Sequence, residues 1–130
     1  MRRSILLVRI QRKKRKERKE MIRTVLMLNP LNGDQEAVIN YFYEKEVLER
    51  SGRIDGFLAT ELHAPLEGGP LLVTAAWEDV AAYDRWVNDP WRGQSSGWLS
   101  PLLDQDLQAK SRGAMYQLVH GVGKIPTYFK

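Results

Sequence analysis

The sequence predicts an α+β fold of the ferredoxin-like, split βαβ type, a four-stranded antiparallel sheet with both helices on one face. Three observations predict it. Short apolar runs and amphipathic stretches follow one another as strand, helix, strand, strand, helix, strand. The two middle strands are joined by Pro65-Leu66-Glu67-Gly68-Gly69-Pro70, turn chemistry that defines a hairpin. The apolar run Leu71 to Trp77 then passes at once into an amphipathic helix with Asp79 as its N-cap.

Taken in order, Arg23 to Asn29 is an apolar run without alternation, closed by the turn signal Pro30-Leu31-Asn32-Gly33, and reads as a strand buried on both faces. From Asp34, a second N-cap, Ala37, Val38, Tyr41, Phe42, Val47 and Leu48 recur at helical spacing. That predicts one continuous helix to about Ser51, with Gly52 just past its end. Tyr41 and Tyr43 straddle it, and Tyr41 fits the inward stripe. Asp55-Gly56 turns the chain into the second strand within Arg53 to Ala64, and Leu71 to Trp77 is the third.

In the second helix, spacing puts Val80, Tyr83 and Val87 on one stripe, with Trp86 one turn beyond Tyr83 and Pro90 as the stop. Trp91 to Leu103 reads as irregular because of Gly93, Gly97 and Pro101, with room for a short helix over Pro101 to Lys110. Ala114 to His120 is the last strand, and Gly121 to Lys130 a mobile tail. Both faces of the first and third strands read as apolar, yet two helices cover only one face of a sheet. A second subunit is the natural cover for the other, so a homodimer is expected.

The 130 residues, 43% apolar, suffice for one domain. The absence of cysteine excludes disulfides, thiolate metal sites and a cysteine nucleophile, and makes the cytoplasm the default compartment. The net charge of +4 is unevenly divided: residues 1–20 hold ten Lys and Arg against two Glu, a local +8, and the remaining 110 carry ten bases and fourteen acids, −4. The expected organisation is a basic extension over 1–20, a domain over 21–122 and a tail over 123–130. The basic codons of Arg12 to Glu20 are purine-dominated, which favours a translated ribosome-binding site before a start at Met21. A native tail would make nucleic acid or another polyanion its partner, with steep salt dependence. No stretch approaches a membrane span.

The turn Asn29-Pro30-Leu31-Asn32-Gly33 before the first helix, Asp55-Gly56-Phe57 opening the second strand, and Ala76-Trp77-Glu78-Asp79 before a helix holding Trp86 resemble the antibiotic biosynthesis monooxygenase family of dimeric α+β barrels. The resemblance covers roughly 21–122 and implies one of three groups: cofactor-independent oxygenases of aromatic polyketides, haem-degrading oxygenases, or proteins of small-molecule or unknown function. Haem degraders place a tryptophan on the second helix and an iron-ligating histidine ten residues beyond. Trp86 matches the tryptophan, but the histidine position is Ser96, and no histidine lies between His63 and His120. Haem is therefore the weaker option.

The resemblance thus implies a cofactor-independent monooxygenase acting with dioxygen on a small polycyclic aromatic, and no metal. Candidate site residues, in rank order, are Trp86, Tyr83, Arg92, Asn29 and His63: an indole donor, a phenol, a cation for a phenolate, an amide and a base. On the residues alone, Trp86 fits core packing or cavity lining, and the resemblance selects lining. Tyr83 fits simple packing beneath Trp77, Arg92 a solvated loop charge, and His63 and His120 surface histidines. Glu61 and His63 face alike without a third metal ligand. The alternatives are a flavin-assisted oxygenase or cyclase of the same fold, a non-catalytic barrel that holds haem or another hydrophobic ligand, and nucleic-acid binding through the tail.

Overall fold

The computed structural model describes residues 20–123, so the basic extension, all but its last residue, and the tail from residue 124 lie outside it. Strands β1 (Ile22–Leu28), β2 (Phe57–His63), β3 (Leu71–Trp77) and β4 (Ala114–Gln117) form one antiparallel sheet in the order β2-β3-β1-β4. The fold is the expected ferredoxin-like α+β arrangement.

The first predicted helix is two. Helix α1 (Gln35–Glu44) is capped where Asp34 accepts from the Ala37 N–H at 3.1 Å, and α2 (Val47–Ser51) follows a break at Glu46. Glu46 has φ 52°, a left-handed conformation that ends one helical run and sets the next off on a new course. Hydrophobic spacing alone bridged this break because Val47 and Leu48 still face inward.

The second predicted helix ends before Pro90 as expected, and Pro90 also starts another. Helix α3 (Val80–Val87) is capped by Asp79, which accepts from Ala82 N–H at 2.9 Å, and α4 (Pro90–Leu99) begins with proline in its first turn. Asp89 caps α4 by accepting from Trp91 N–H at 2.9 Å. Proline suits that place because the first helical N–H has no intrahelical partner. Neither Gly93 nor Gly97 interrupts the helix. A 3₁₀ turn (Ser100–Leu102) and α5 (Gln105–Lys110) lead to β4, which is three residues shorter than expected and leaves His120 outside the sheet and exposed.

The stripe read for the second helix is also displaced. Val80 and Val87 are 46% and 36% exposed, and Ala82 is fully buried, with Tyr83 and Trp86 flanking it. Gly56, at φ 90°, explains the rotation: a Cβ there would lie 2.5 Å from that of Ala82, so only glycine against alanine lets the helix approach β2. Arg85 donates to Asp55 O at 2.9 Å and ties the same corner.

The register divides the helix-covered face into cross-strand rows. Leu28 lies opposite Leu71; Leu26 opposite Val73 and Leu62; Thr24 opposite Ala75 and Thr60; Ile22 opposite Trp77, which pairs with Phe57. Two buried clusters result, one around Leu28, Val38, Phe42 and Leu71, the other around Ile22, Trp77 and Ala82. On the opposite face Met27 and Tyr116 are 43% and 58% exposed. Strand β1 is therefore less symmetrically buried than its unbroken apolar run predicts. Arg23 crosses this face toward Thr74, its guanidinium 3.5 Å from Oγ1.

Candidate functional site

Between the two clusters lies a cavity of about 250 Å³. Its floor is the row Met115, Thr24, Ala75 and Thr60, which runs across all four strands, with Leu26 and Val73 bordering it. Val47, Leu48 and Ser51 on α2 form one wall. Tyr83 and Trp86 on α3, with Arg92 from α4, form another. The floor is hollow because the side chains of Thr24, Ala75 and Thr60 are small where the adjacent rows carry Leu, Val, Phe and Trp.

The wall is held by aromatic contacts. Trp77, 1% exposed, meets Phe57 and Tyr83 edge-on at centroid distances of 5.7 and 5.8 Å. Its Nε1 donates to Thr24 Oγ1 at 3.2 Å. Trp86 packs on Trp91 at 6.2 Å, and the Arg50 guanidinium lies 4.7 Å over the Trp91 ring. Trp91 thus braces Trp86 from behind, between the cavity wall and α2. Tyr41 anchors α4 by donating to Ser95 O at 2.6 Å, and burial pushes its phenol above the ordinary tyrosine value.

The five sequence candidates divide cleanly. Trp86, Tyr83 and Arg92 line the cavity together, and Arg92 is the one charged side chain among its described lining residues. Among the described residues, no group accepts a hydrogen bond from the Trp86 indole, the Tyr83 hydroxyl or the Arg92 guanidinium. Asn29 is outside the lining and 8% exposed. Its Nδ2 donates to Gln108 Oε1 at 3.1 Å and Ser111 Oγ at 2.8 Å. Gln108 returns a donor to Met27 O at 2.8 Å, so the amide serves as a clamp between β1 and α5. His63 is exposed on the opposite face of the sheet. The irregularity between Phe57 and Ala59 puts His63 on the face opposite Phe57, although unbroken alternation would place the two residues on one face.

Thr24, Thr60 and Ser51 are the polar lining groups that sequence inspection missed. Their only signal is register: once β1, β2 and β3 are paired, two threonines flank the same alanine. Ser96, at the position where a haem degrader carries its histidine, is exposed and donates to Arg92 O at 2.8 Å. Among the described residues no imidazole or thiolate faces the cavity, and Tyr83 and Met115 are the lining side chains of a type that can meet a haem iron. Also among those residues, no three His, Cys, Asp or Glu side chains cluster, and no helix is long and apolar enough to cross a membrane.

Solved structures share the fold. The cofactor-independent oxygenase SnoaB of Streptomyces nogalater is similar with a TM-score of 0.67 at 15% identity, covering 81% of this chain and 99% of that one. A conserved protein of Methanosarcina mazei is similar with a TM-score of 0.62 at 18% identity, over 75% of this chain and 92% of that one. The heme-degrading protein Rv3592 of Mycobacterium tuberculosis gives 0.53 at 19% identity, over 79% and 99%. No curated protein matches the sequence. The antibiotic biosynthesis monooxygenase family model matches residues 21–91, more than half of the chain. The chain belongs to the antibiotic biosynthesis monooxygenase family.

Proposed function

We propose that this protein is a cofactor-independent monooxygenase that oxidises an electron-rich polycyclic aromatic, of the anthrone or hydroquinone type, with dioxygen. The observation that carries the reading is the apolar cavity in which Trp86, Tyr83 and Arg92 converge with their polar groups unengaged. A volume of about 250 Å³ lies near the lower end of small-molecule pockets, which suits two or three fused rings.

The chemistry asks little of the protein. An anthrone loses a proton to solvent water on entry to give an electron-rich anion, which adds dioxygen and takes a proton back to form a hydroperoxide. Loss of water from the peroxide leaves a quinone carbonyl, so one oxygen atom enters the product and the other leaves as water. Arg92 stabilises the substrate anion, Trp86 and Tyr83 donate to the developing peroxide or carbonyl, and the aromatic wall excludes bulk water. Neither His63 nor Asn29 takes part in this scheme, because neither lines the cavity.

The test is oxygen uptake with an anthrone in metal-free, flavin-free buffer. The expected result is acceleration over the spontaneous reaction, reduced at least tenfold in Trp86→Phe. No acceleration by the wild type removes the reading, and a strict requirement for reduced flavin and a reductase replaces it with the flavin-assisted alternative. A homodimer packed through the open sheet face is part of the same proposal, supported by exposed Met27 and Tyr116 there. A monomer by light scattering at micromolar concentration contradicts it.

A further inference from the structure

The hydroxyl groups on the cavity floor are not equivalent. The Trp77 indole donates to Thr24 Oγ1 at 3.2 Å, and an indole N–H is a donor only. Thr24 therefore keeps its own proton for a ligand. Thr60 Oγ1 donates to Thr74 O at 2.9 Å, which commits its proton to a carbonyl and leaves only lone pairs for the cavity. Ser51, 4% exposed, is committed in the same way to Leu48 O at 2.7 Å, and α2 packs against β2, so it adds a second acceptor on the Thr60 side. Ala75 stands between the two threonines in the register, which puts them two strand spacings apart, roughly 9.5 Å.

We infer that Thr24 and Thr60 determine specificity by reading opposite ends of a flat ligand lying over Ala75, a donor for its carbonyl at the β1 side and an acceptor for its hydroxyl at the β2 side. The ligand class is a fused-ring hydroxyketone, a phenol at one end and a ketone at the other. The assignment rests on the reading of the cavity as the site of an oxygenated aromatic, and it narrows that class to molecules with a defined polarity. A quinone without a hydroxyl meets Thr60 and Ser51 with lone pairs facing lone pairs. A phenol without a ketone leaves the Thr24 proton unmatched.

The test is calorimetric titration of the full chain with three probes: 6-hydroxy-1-tetralone, its methyl ether 6-methoxy-1-tetralone, and 5,6,7,8-tetrahydro-2-naphthol, which lacks the ketone. The wild type should bind the hydroxyketone about tenfold more tightly than either analogue, the worth of one hydrogen bond. Thr60→Val should reduce the preference over the methyl ether, Ser51 holding what remains, and keep the preference over the naphthol; Thr24→Val should erase the preference over the naphthol and keep the one over the methyl ether. Because Thr24→Val leaves the Trp77 indole unpartnered, Thr24→Ser should retain both preferences, and the Thr60→Val arm decides the matter alone if Thr24→Val does not fold. Equal affinities for the three probes in the wild type, equal losses for hydroxyketone and methyl ether in Thr60→Val, or no binding of any probe overturns the assignment. Selectivity without oxygen uptake from an anthrone leaves it standing and removes the oxygenase reading; uptake without selectivity does the opposite.

Discussion

Two rows of one sheet face, with a third between them, are packed in opposite ways. At the row of Leu28 and Leu71, α1 lays Val38 and Phe42 onto the sheet, and Leu71 and Val38 are completely buried. Two rows along, Thr24, Ala75 and Thr60 meet the walls of α2 and α3 across about 250 Å³ of cavity. The strands and the hydrogen-bond ladder continue through both places. The difference is side-chain volume at three paired positions and the turn at Glu46 that sets α2 off from α1. A cavity here is thus a property of composition within an unbroken scaffold, and stability and binding should be separable by mutation.

The largest effect should come from exchanging the two packing modes. Leu71→Ala should lower the unfolding free energy by about 2–5 kcal/mol in urea titration. Ala75→Leu should shift it by about 1 kcal/mol or less, while weakening the binding of an aromatic probe at least tenfold, because the added carbons enter empty space. Comparable losses of stability in the two variants would break the contrast between filled and hollow rows. Next in size is Gly56→Ala, which forces a Cβ against Ala82 at φ 90° and should destabilise by about 1–3 kcal/mol while lifting α3 from the sheet. Near-UV circular dichroism would report the displaced Trp77 and Tyr83 rings.

Tyr41 joins the filled region to the roof of the hollow one. Tyr41→Phe should cost about 1 kcal/mol at neutral pH. Since burial raises the phenol pKa above its usual value of 10.0, the folded state holds this proton more tightly than the unfolded state. The resulting stability is complete below pH 10 and declines as pH rises above it; the decline should be shallower in Tyr41→Phe, as followed by urea midpoints between pH 8 and pH 11. The smallest effect is Glu46→Gly, which relieves a left-handed residue and should change stability by about 1 kcal/mol or less. Thermal melting would register it, and probe affinity should hold, because α2 keeps its place.

Local chemistry made much of this legible before any coordinates. Asp34 and Asp79 are caps that lie next to the helices they begin, and the Pro65 to Pro70 turn makes its own hairpin. Trp86 was visible because a large aromatic on a short helix must cover something. What escaped were features fixed by distant pairing. The meeting of Thr24 with Thr60 depends on register across three strands, and hydropathy carries no trace of it. The turn of α3 onto Ala82 depends on Gly56, and the burial of Asn29 on Gln108, 79 residues away. His63 leaves the cavity face because an irregularity in β2 reverses the alternation that an unbroken strand would keep.

The bracing of Trp86 by Trp91 has an optical consequence. Two indoles 6.2 Å apart with ring planes inclined by 32° are close enough for their electronic transitions to couple, and one of the pair lines the cavity while the other is gripped by Arg50. A ligand that shifts Trp86 therefore alters the interaction between two chromophores. The protein carries a built-in spectroscopic gauge of occupancy, readable without a label on either partner.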